Sequence, residues 1–205
     1  MKNRRGLILI SLGVLLLLGA LGLTGYNMWD DKRAGEAVES VVQEMDELIP
    51  EPGTSVPPAG DFIPDYVLAP KIEMPTVTVD GREYVGYLNI PVLDLRLPVM
   101  SQWSYDELKI APCRYSGSAY LDNMVVCAHN YVHQFGPLVN LRPDDLVQFV
   151  DVDGNLFEYV VVELDEIGPY DTQEMKSGEY ALSLFTCNFS GRMRTTVRCD
   201  RLGSP

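Results

Sequence analysis

The chain has 205 residues, 46% of them hydrophobic and 22% charged, with 16 Lys and Arg against 29 Asp and Glu, four cysteines and two histidines. That amounts to one domain plus a short additional segment, too apolar for a disordered chain and too poor in cysteine for a disulfide-built miniprotein. Three of the basic residues and none of the acids precede Asp30, so the rest of the chain carries a formal charge of −16 (13 against 29), which repels nucleic acid and gives no reason to lie flat on an anionic membrane.

Gly6 to Gly25 contains no ionisable side chain and is mostly Leu, Ile, Val, Gly and Ala. About 20 apolar residues at a rise of about 1.5 Å each cross a hydrocarbon core of roughly 30 Å, whereas the apolar part of a signal peptide needs only about 7–15. Ala20-Leu21-Gly22 is a poor cleavage site buried inside the run, and no cysteine stands there for lipid attachment. The segment 1–29 therefore reads as a retained transmembrane anchor. Lys2, Arg4 and Arg5 ahead of it favour a cytoplasmic N-terminus and an extracellular remainder.

Residues 30–75 read as a stalk. Ala37, Val41, Val42, Met45 and Leu48 recur at intervals of three and four, which predicts an amphipathic juxtamembrane helix over 30–48, with a face able to fold back over a site. Seven prolines between Pro50 and Pro75 then favour an extended, semi-rigid spacer.

From residue 76 to 205 the pattern becomes short β-branched and apolar runs separated by Gly, Pro, Asn and Asp. Strands are expected at Val77–Val79, Tyr84–Ile90, Leu97–Met100, Met124–Ala128, Leu146–Val152, Phe157–Val162, Tyr180–Cys187 and Thr195–Cys199. Short helices are expected at Ser104–Ile110 and Gly136–Leu141, and Asp153-Gly154 supplies a hairpin turn. The fold class is mainly β; about eight strands fit a closed barrel or a sandwich, and closure removes exposed edges.

Three places carry chemistry. Val125-Val126-Cys127-Ala128-His129-Asn130 is a strand that ends on a histidine, the side chain best suited to proton transfer near neutral pH. Leu182-Ser183-Leu184-Phe185-Thr186-Cys187 is an apolar strand that ends on a cysteine, and Arg194 opens the next strand. Taken singly, each has an ordinary structural reading: a packing histidine, a small buried thiol, a solvated charge. The order strand-His, strand-Thr-Cys, Arg-strand is far more restrictive.

Ser183-Leu184-Phe185-Thr186-Cys187 resembles the Thr-Leu-x-Thr-Cys signature of the sortases, membrane-anchored cysteine transpeptidases of Gram-positive cell surfaces, with Ser at the first position. Gly86-Tyr87-Leu88-Asn89-Ile90-Pro91 is similar to the opening of that family's domain, and the resemblance covers about residues 76–201. It implies an eight-stranded sortase barrel in which Cys187, His129 and Arg194 are catalytic and Thr186 shapes the substrate pocket. It further implies secreted proteins or pilins with a Leu-Pro-x-Thr-Gly-like sorting signal as substrates, and an amine of a peptidoglycan precursor or pilin as acceptor. Neither cofactor nor metal is expected. Arg192 and Arg198 are rivals to Arg194, because the stretch from Cys187 to Arg194 is short, and His133, in the loop after the strand, is a rival to His129.

His129-Asn130 and Phe135-Gly136-Pro137-Leu138 resemble pieces of class B sortases, although the segment Asp165 to Glu179 is short for the helix that class inserts there. The lack of a second apolar span argues against a pilin-polymerising class C enzyme. The acids Asp165, Glu166, Asp171, Glu174 and Glu179 lack the spacing of a calcium loop and read as a solvated loop. The Ser-x-Gly-Cys-x-Arg signature of L,D-transpeptidases is absent around Cys187, and a papain-like peptidase would place its cysteine before its histidine. The non-enzymatic alternative is an anchored extracellular β-domain with a binding role, in which Cys187 is inert. Two of Cys113, Cys127 and Cys199 could pair as a disulfide outside the cell, with no pairing singled out, and burial as free thiols is an equal alternative.

Overall fold

The computed structural model describes residues 2–52, 64–69, 71–176, 178–188 and 190–203, so the middle of the proline-rich spacer, 53–63, lies outside the described residues. Two compact units divide the chain at Arg33 and Ala34.

The N-terminal unit is the first part of one long helix, α1 (Lys2–Leu48). Its apolar residues from Leu7 to Leu23 are solvent-facing, and no part of the most apolar window is buried. By length and composition this helix can cross a membrane, which fits an N-terminal anchor.

The second unit is built on nine strands. They are β1 (Val77–Val79), β2 (Arg82–Ile90), β3 (Leu95–Met100), β4 (Cys113–Ser116), β5 (Met124–Cys127), β6 (Leu146–Asp151), β7 (Leu156–Ile167), β8 (Leu182–Cys187) and β9 (Arg194–Arg201). The sheet order is β1-β2-β3-β4-β5-β8-β9-β7-β6, and β6 returns to pair with β2, so eight strands close into a barrel with β1 as an appended hairpin arm. Closure depends on a glycine. Gly86, at φ +148°, sits where β2 meets β6, and a Cβ there would lie 2.0 Å from the Val150 carbonyl oxygen. The β1–β2 turn uses Asp80 and Gly81, both at positive φ, as a two-residue hairpin of this twist requires.

The expected Asp-Gly hairpin joins β6 to β7. Asp151, fully buried, takes hydrogen bonds from the backbone N–H groups of Asp153 and Asn155, from the Asn155 side-chain amide and from the Tyr120 hydroxyl at 2.8–3.0 Å. The barrel interior holds Leu88, Leu97, Val99, Met124, Val126, Phe149, Phe157, Leu184 and Val197.

Several expected elements differ in extent. The helix expected over 30–48 is the continuation of α1, and from Ala34 it packs on the barrel rather than holding it at a distance. Ala34, Val38, Val41, Met45 and Ile49 are buried, and Val41, Met45 and Ile49 join one cluster with Val79, Tyr84, Tyr87 and Met100. Asp46 holds Arg96 through both guanidinium nitrogens, and that guanidinium lies over the Tyr87 ring at 4.2 Å. Ser104–Ile110 and Gly136–Leu141 form short 3₁₀ turns, Glu107–Lys109 and Gly136–Asn140. Besides β4 and the 3₁₀ turns Pro91–Leu93 and Ala119–Leu121, two short helices are not among the expected elements. One is α2 (Asp65–Leu68), whose Tyr66 stacks on Tyr120 at 4.8 Å; the other is α3 (Thr172–Met175), in the β7–β8 connection.

Candidate active site

Strand pairing brings the three marked segments to one end of the barrel. β8 and β9 are antiparallel with Cys187 directly opposite Arg194, the last pair before the turn. β5 and β8 are parallel, with Cys127 beside Phe185, and the ladder continues as the Ala128 N–H donates to the Phe185 carbonyl at 3.2 Å. Two residues beyond Cys127 on one strand and two beyond Phe185 on the other stand His129 and Cys187. Parallel alignment therefore carries the histidine and the cysteine to the same rim.

Buried contacts fix the backbone at His129. The His129 N–H donates to the Gln134 side-chain oxygen at 3.2 Å, and its carbonyl accepts from the Phe135 N–H at 3.1 Å. Gln134 is fully buried and donates onward to the Ile110 carbonyl at 3.4 Å, tying the loop after β5 to the barrel. The His129 ring is half-buried, with its centroid 5.0 Å from that of Tyr131. His133 lies elsewhere, its ring against the backbone of Gly35 in α1, where a Cβ would meet it at 2.9 Å.

The turn after Cys187 is organised by Asn188. Its N–H donates to the Met193 carbonyl at 2.9 Å, and its side-chain oxygen accepts from the Ser190 hydroxyl and the Met193 N–H. Gly191 takes the left-handed conformation this turn needs.

The three arginines separate clearly. Arg192 is exposed in the turn. Arg198 is 2% exposed and serves the fold: its guanidinium donates to the Ser183 hydroxyl at 2.9 Å and to the carbonyls of Glu174 and Met175, holding α3 against the sheet. Arg194 is half-buried and has no carboxylate partner among the described residues, so its charge stays available beside Cys187. It lines a small cavity of about 40 Å³ with Tyr115, Phe185 and Met175.

Cys187 also opens on a cleft of about 470 Å³ with Asn130, Val139, Glu166, Thr186, Asn188 and Thr195 on its walls. Thr186 is 4% exposed, and its hydroxyl has no hydrogen-bond partner among the described residues.

The four thiols differ by environment. Cys113, Cys127 and Cys199 are buried, and burial pushes the Cys127 thiol up to about 12 and raises the other two as well. Such thiols are inert at neutral pH. All four are free, and Cys113 stands opposite Cys127 across β4 and β5. Cys187 alone of the four is partly open to solvent.

The sequence does not mark Gln134 or Asn188, and Glu166, which reads there as part of a solvated loop, lies at the end of β7. Each is defined by a partner on another segment, and no local pattern marks it.

Residues 88–202 match the family profile described as the sortase domain. No curated protein sequence matches the chain significantly. Among solved structures, sortase C1 from Streptococcus agalactiae shares 20% identity over 62% of this chain and 72% of its own, with a TM-score of 0.53. Sortase C from Clostridium perfringens SM101 shares 21% over 85% and 90%, with a TM-score of 0.51. A Clostridium perfringens sortase D5 transpeptidase shares 16% over 58% and 79%, with a TM-score of 0.52. At these identities the likeness is one of fold, common to classes C and D alike. The profile spans more than half of the sequence, and the chain accordingly belongs to the sortase family of cysteine transpeptidases.

Proposed function

We propose that this enzyme cleaves a C-terminal sorting motif of the Leu-Pro-x-Thr-Gly type and transfers the protein to an amine of a peptidoglycan precursor or a pilin. The Cys187 thiolate attacks the threonine carbonyl carbon, and the oxyanion that forms is held by the Arg194 guanidinium. Collapse breaks the Thr–Gly bond as the His129 imidazolium gives its proton to the departing glycine amine. The acyl group remains on the Cys187 sulfur as a thioester. An acceptor amine, losing its proton to the now neutral His129, attacks the same carbon and expels the thiolate. Thr186 shapes the pocket at the scissile bond. Lys2, Arg4 and Arg5 keep the N-terminus cytoplasmic, which puts the barrel outside, where such substrates emerge.

The observation that carries this reading is the register that sets Cys187 opposite Arg194 while parallel pairing brings β5, and His129 after it, to the same rim. A pilin as substrate has a further support in a solved structure of this fold, the Streptococcus pneumoniae sortase C described in terms of pilin substrate specificity.

The test incubates the protein and its Cys187→Ala variant with Leu-Pro-x-Thr-Gly-like and Asn-Pro-x-Thr-like peptides plus an amine, followed by mass spectrometry. Cleavage after Thr with an acyl adduct on Cys187, lost in the variant, is expected. An unreactive peptide set together with a Cys187 that resists alkylation in the folded protein would overturn the reading.

A further inference from the structure

The cleft beside Cys187 has a chemistry that the acyl-donor side lacks. Glu166 of β7 pairs with Thr195 of β9, and Thr195 pairs with Thr186 of β8, so the three stand in one row across adjacent strands and all line the cleft. Glu166 is the only charged residue among the described residues of its wall. The Asn188 side-chain amide donates to one Glu166 carboxylate oxygen at 3.1 Å, which orients the carboxylate and leaves its other oxygen open. No Lys or Arg neutralises Glu166 among the described residues. In the same row the buried Thr186 hydroxyl has no hydrogen-bond partner among the described residues and is free to pair with a ligand. Arg194 lines a separate small cavity with Phe185 and Tyr115. Cys187 therefore stands opposite Arg194 in the β8–β9 ladder and opens on a cleft whose charged wall residue is an acid, suited to a cation.

We propose that the Glu166–Thr186–Thr195 cleft is the entry site of the acceptor amine, which Glu166 captures in its protonated, ammonium form before His129 removes the proton. This rests on the transpeptidase reading above and names the side from which the second substrate arrives. Primary amines such as a lysine side chain or a glycine N-terminus are mostly ammonium ions at neutral pH. A carboxylate in the cleft raises their local concentration beside the thioester. The Thr186 hydroxyl has a free acceptor lone pair for an N–H as the amine advances toward the sulfur.

The experiment measures how fast iodoacetamide alkylates Cys187 in the full-length protein in detergent micelles, with triglycine amide as the acceptor probe and N-acetyl-triglycine amide as its uncharged counterpart. Triglycine amide is expected to slow alkylation in the wild type, with at least ten-fold weaker protection by the acetylated probe and in Glu166→Gln. That variant keeps the shape and the acceptor for Asn188, and Glu166→Asp should recover part of the protection. In peptide transfer assays the same substitution should raise the acceptor KM at least ten-fold more than it changes the rate of thioester formation. Equal protection by both probes, or protection unchanged in Glu166→Gln at an unchanged melting temperature, overturns the proposal. A wild type protected by triglycine amide yet never acylated by any sorting peptide would instead sink the transpeptidase reading and leave an ammonium-binding cleft standing.

Discussion

Replacing Arg198 and Arg194 in parallel tests whether the first holds the fold and the second, as proposed, serves the reaction. The Arg198 guanidinium donates to the Ser183 hydroxyl at 2.9 Å and the Glu174 carbonyl at 3.2 Å, with a longer contact to the Met175 carbonyl at 3.4 Å. Hydrogen bonds from a charged donor contribute about 1.5–3 kcal/mol each, and removing one member of a buried charged network costs about 3–5 kcal/mol. Arg198→Met keeps the apolar stem, so little cavity forms, and a loss of about 3–5 kcal/mol is expected. In a chain of this size that lowers Tm by on the order of 10 °C. The loss should begin at α3, whose Met175 N–H donates to Asp171 at 3.1 Å, so hydrogen exchange at Met175 and Lys176 should speed up before the barrel opens. Burial already raises the Asp165 carboxyl, and the neighbouring Arg198 charge pulls it back. Without that charge Asp165 rises further, the folded state keeps its proton to higher pH than the unfolded chain does, and stability falls as pH climbs through the gap. The deficit of Arg198→Met should therefore widen as pH rises above the ordinary carboxylate range. Arg194→Met should do the reverse, with stability within about 1 kcal/mol of wild type and transfer slowed about 10²–10³-fold. Urea denaturation, exchange mass spectrometry and peptide transfer read all three quantities. Wild-type stability and α3 protection in Arg198→Met, or full activity in Arg194→Met, would refute the division of labour.

Alkylation of the native protein at pH 7 should label Cys187 and leave Cys113, Cys127 and Cys199 untouched until urea exposes them; peptide mapping that found Cys127 labelled alongside Cys187 would contradict the burial argument. Gln134→Leu leaves the His129 N–H and the Ile110 carbonyl without their side-chain partner, which should cost about 2–3 kcal/mol and slow transfer, read by denaturation and peptide turnover on the same preparation. Met45→Ala, at a residue only 1% exposed, should cost about 2–5 kcal/mol in thermal or urea unfolding if α1 past Ala34 belongs to the barrel's fold, and next to nothing if it is a free stalk.

The strands legible in the sequence were those with a clean apolar rhythm. Val77–Val79 matches β1 end for end, and the expected starts of Met124–Ala128 and Leu146–Val152 match β5 and β6. β7 runs five residues past its expected end at Val162, because Glu163, Asp165 and Glu166 look like loop while β9 pairs with them residue by residue. β4, Cys-Arg-Tyr-Ser, alternates apolar and polar residues but over only four positions, too short a run to stand out; its neighbours β3 and β5 make it a strand. The anchor segment and the helix expected over 30–48 run on as one helix, since no proline interrupts residues 2–48 and a helix tolerates an isolated glycine. At the site, the ends of β8 and β9 were readable because a strand ending on cysteine and one opening on arginine are local features. The choice among three arginines was not local, and burial under α3 is what removes Arg198 from the rim.

Placement of the chemistry rests on register more than on any residue at the rim. His129 and Cys187 follow strands whose parallel pairing needs the whole β6–β7 hairpin as its crossover, so no short-range signal can align them. A slip of one residue between β5 and β8 would turn every side chain of the moved strand to the other face, placing Val125 and Cys127 inside the barrel and taking Val126 out of it. Val126, beside Leu184, is fully buried in the main cluster and opposes that slip. Arg194 is held by the same logic through β9, where Val197 pairs with Leu184 and Cys199 with Leu182, all fully buried. The interior of β5, β8 and β9 is thus the positioning apparatus of the rim. Disturbances there should reach the reaction through geometry before they unfold the barrel, since a reacting group displaced by about 1 Å already loses most of its advantage.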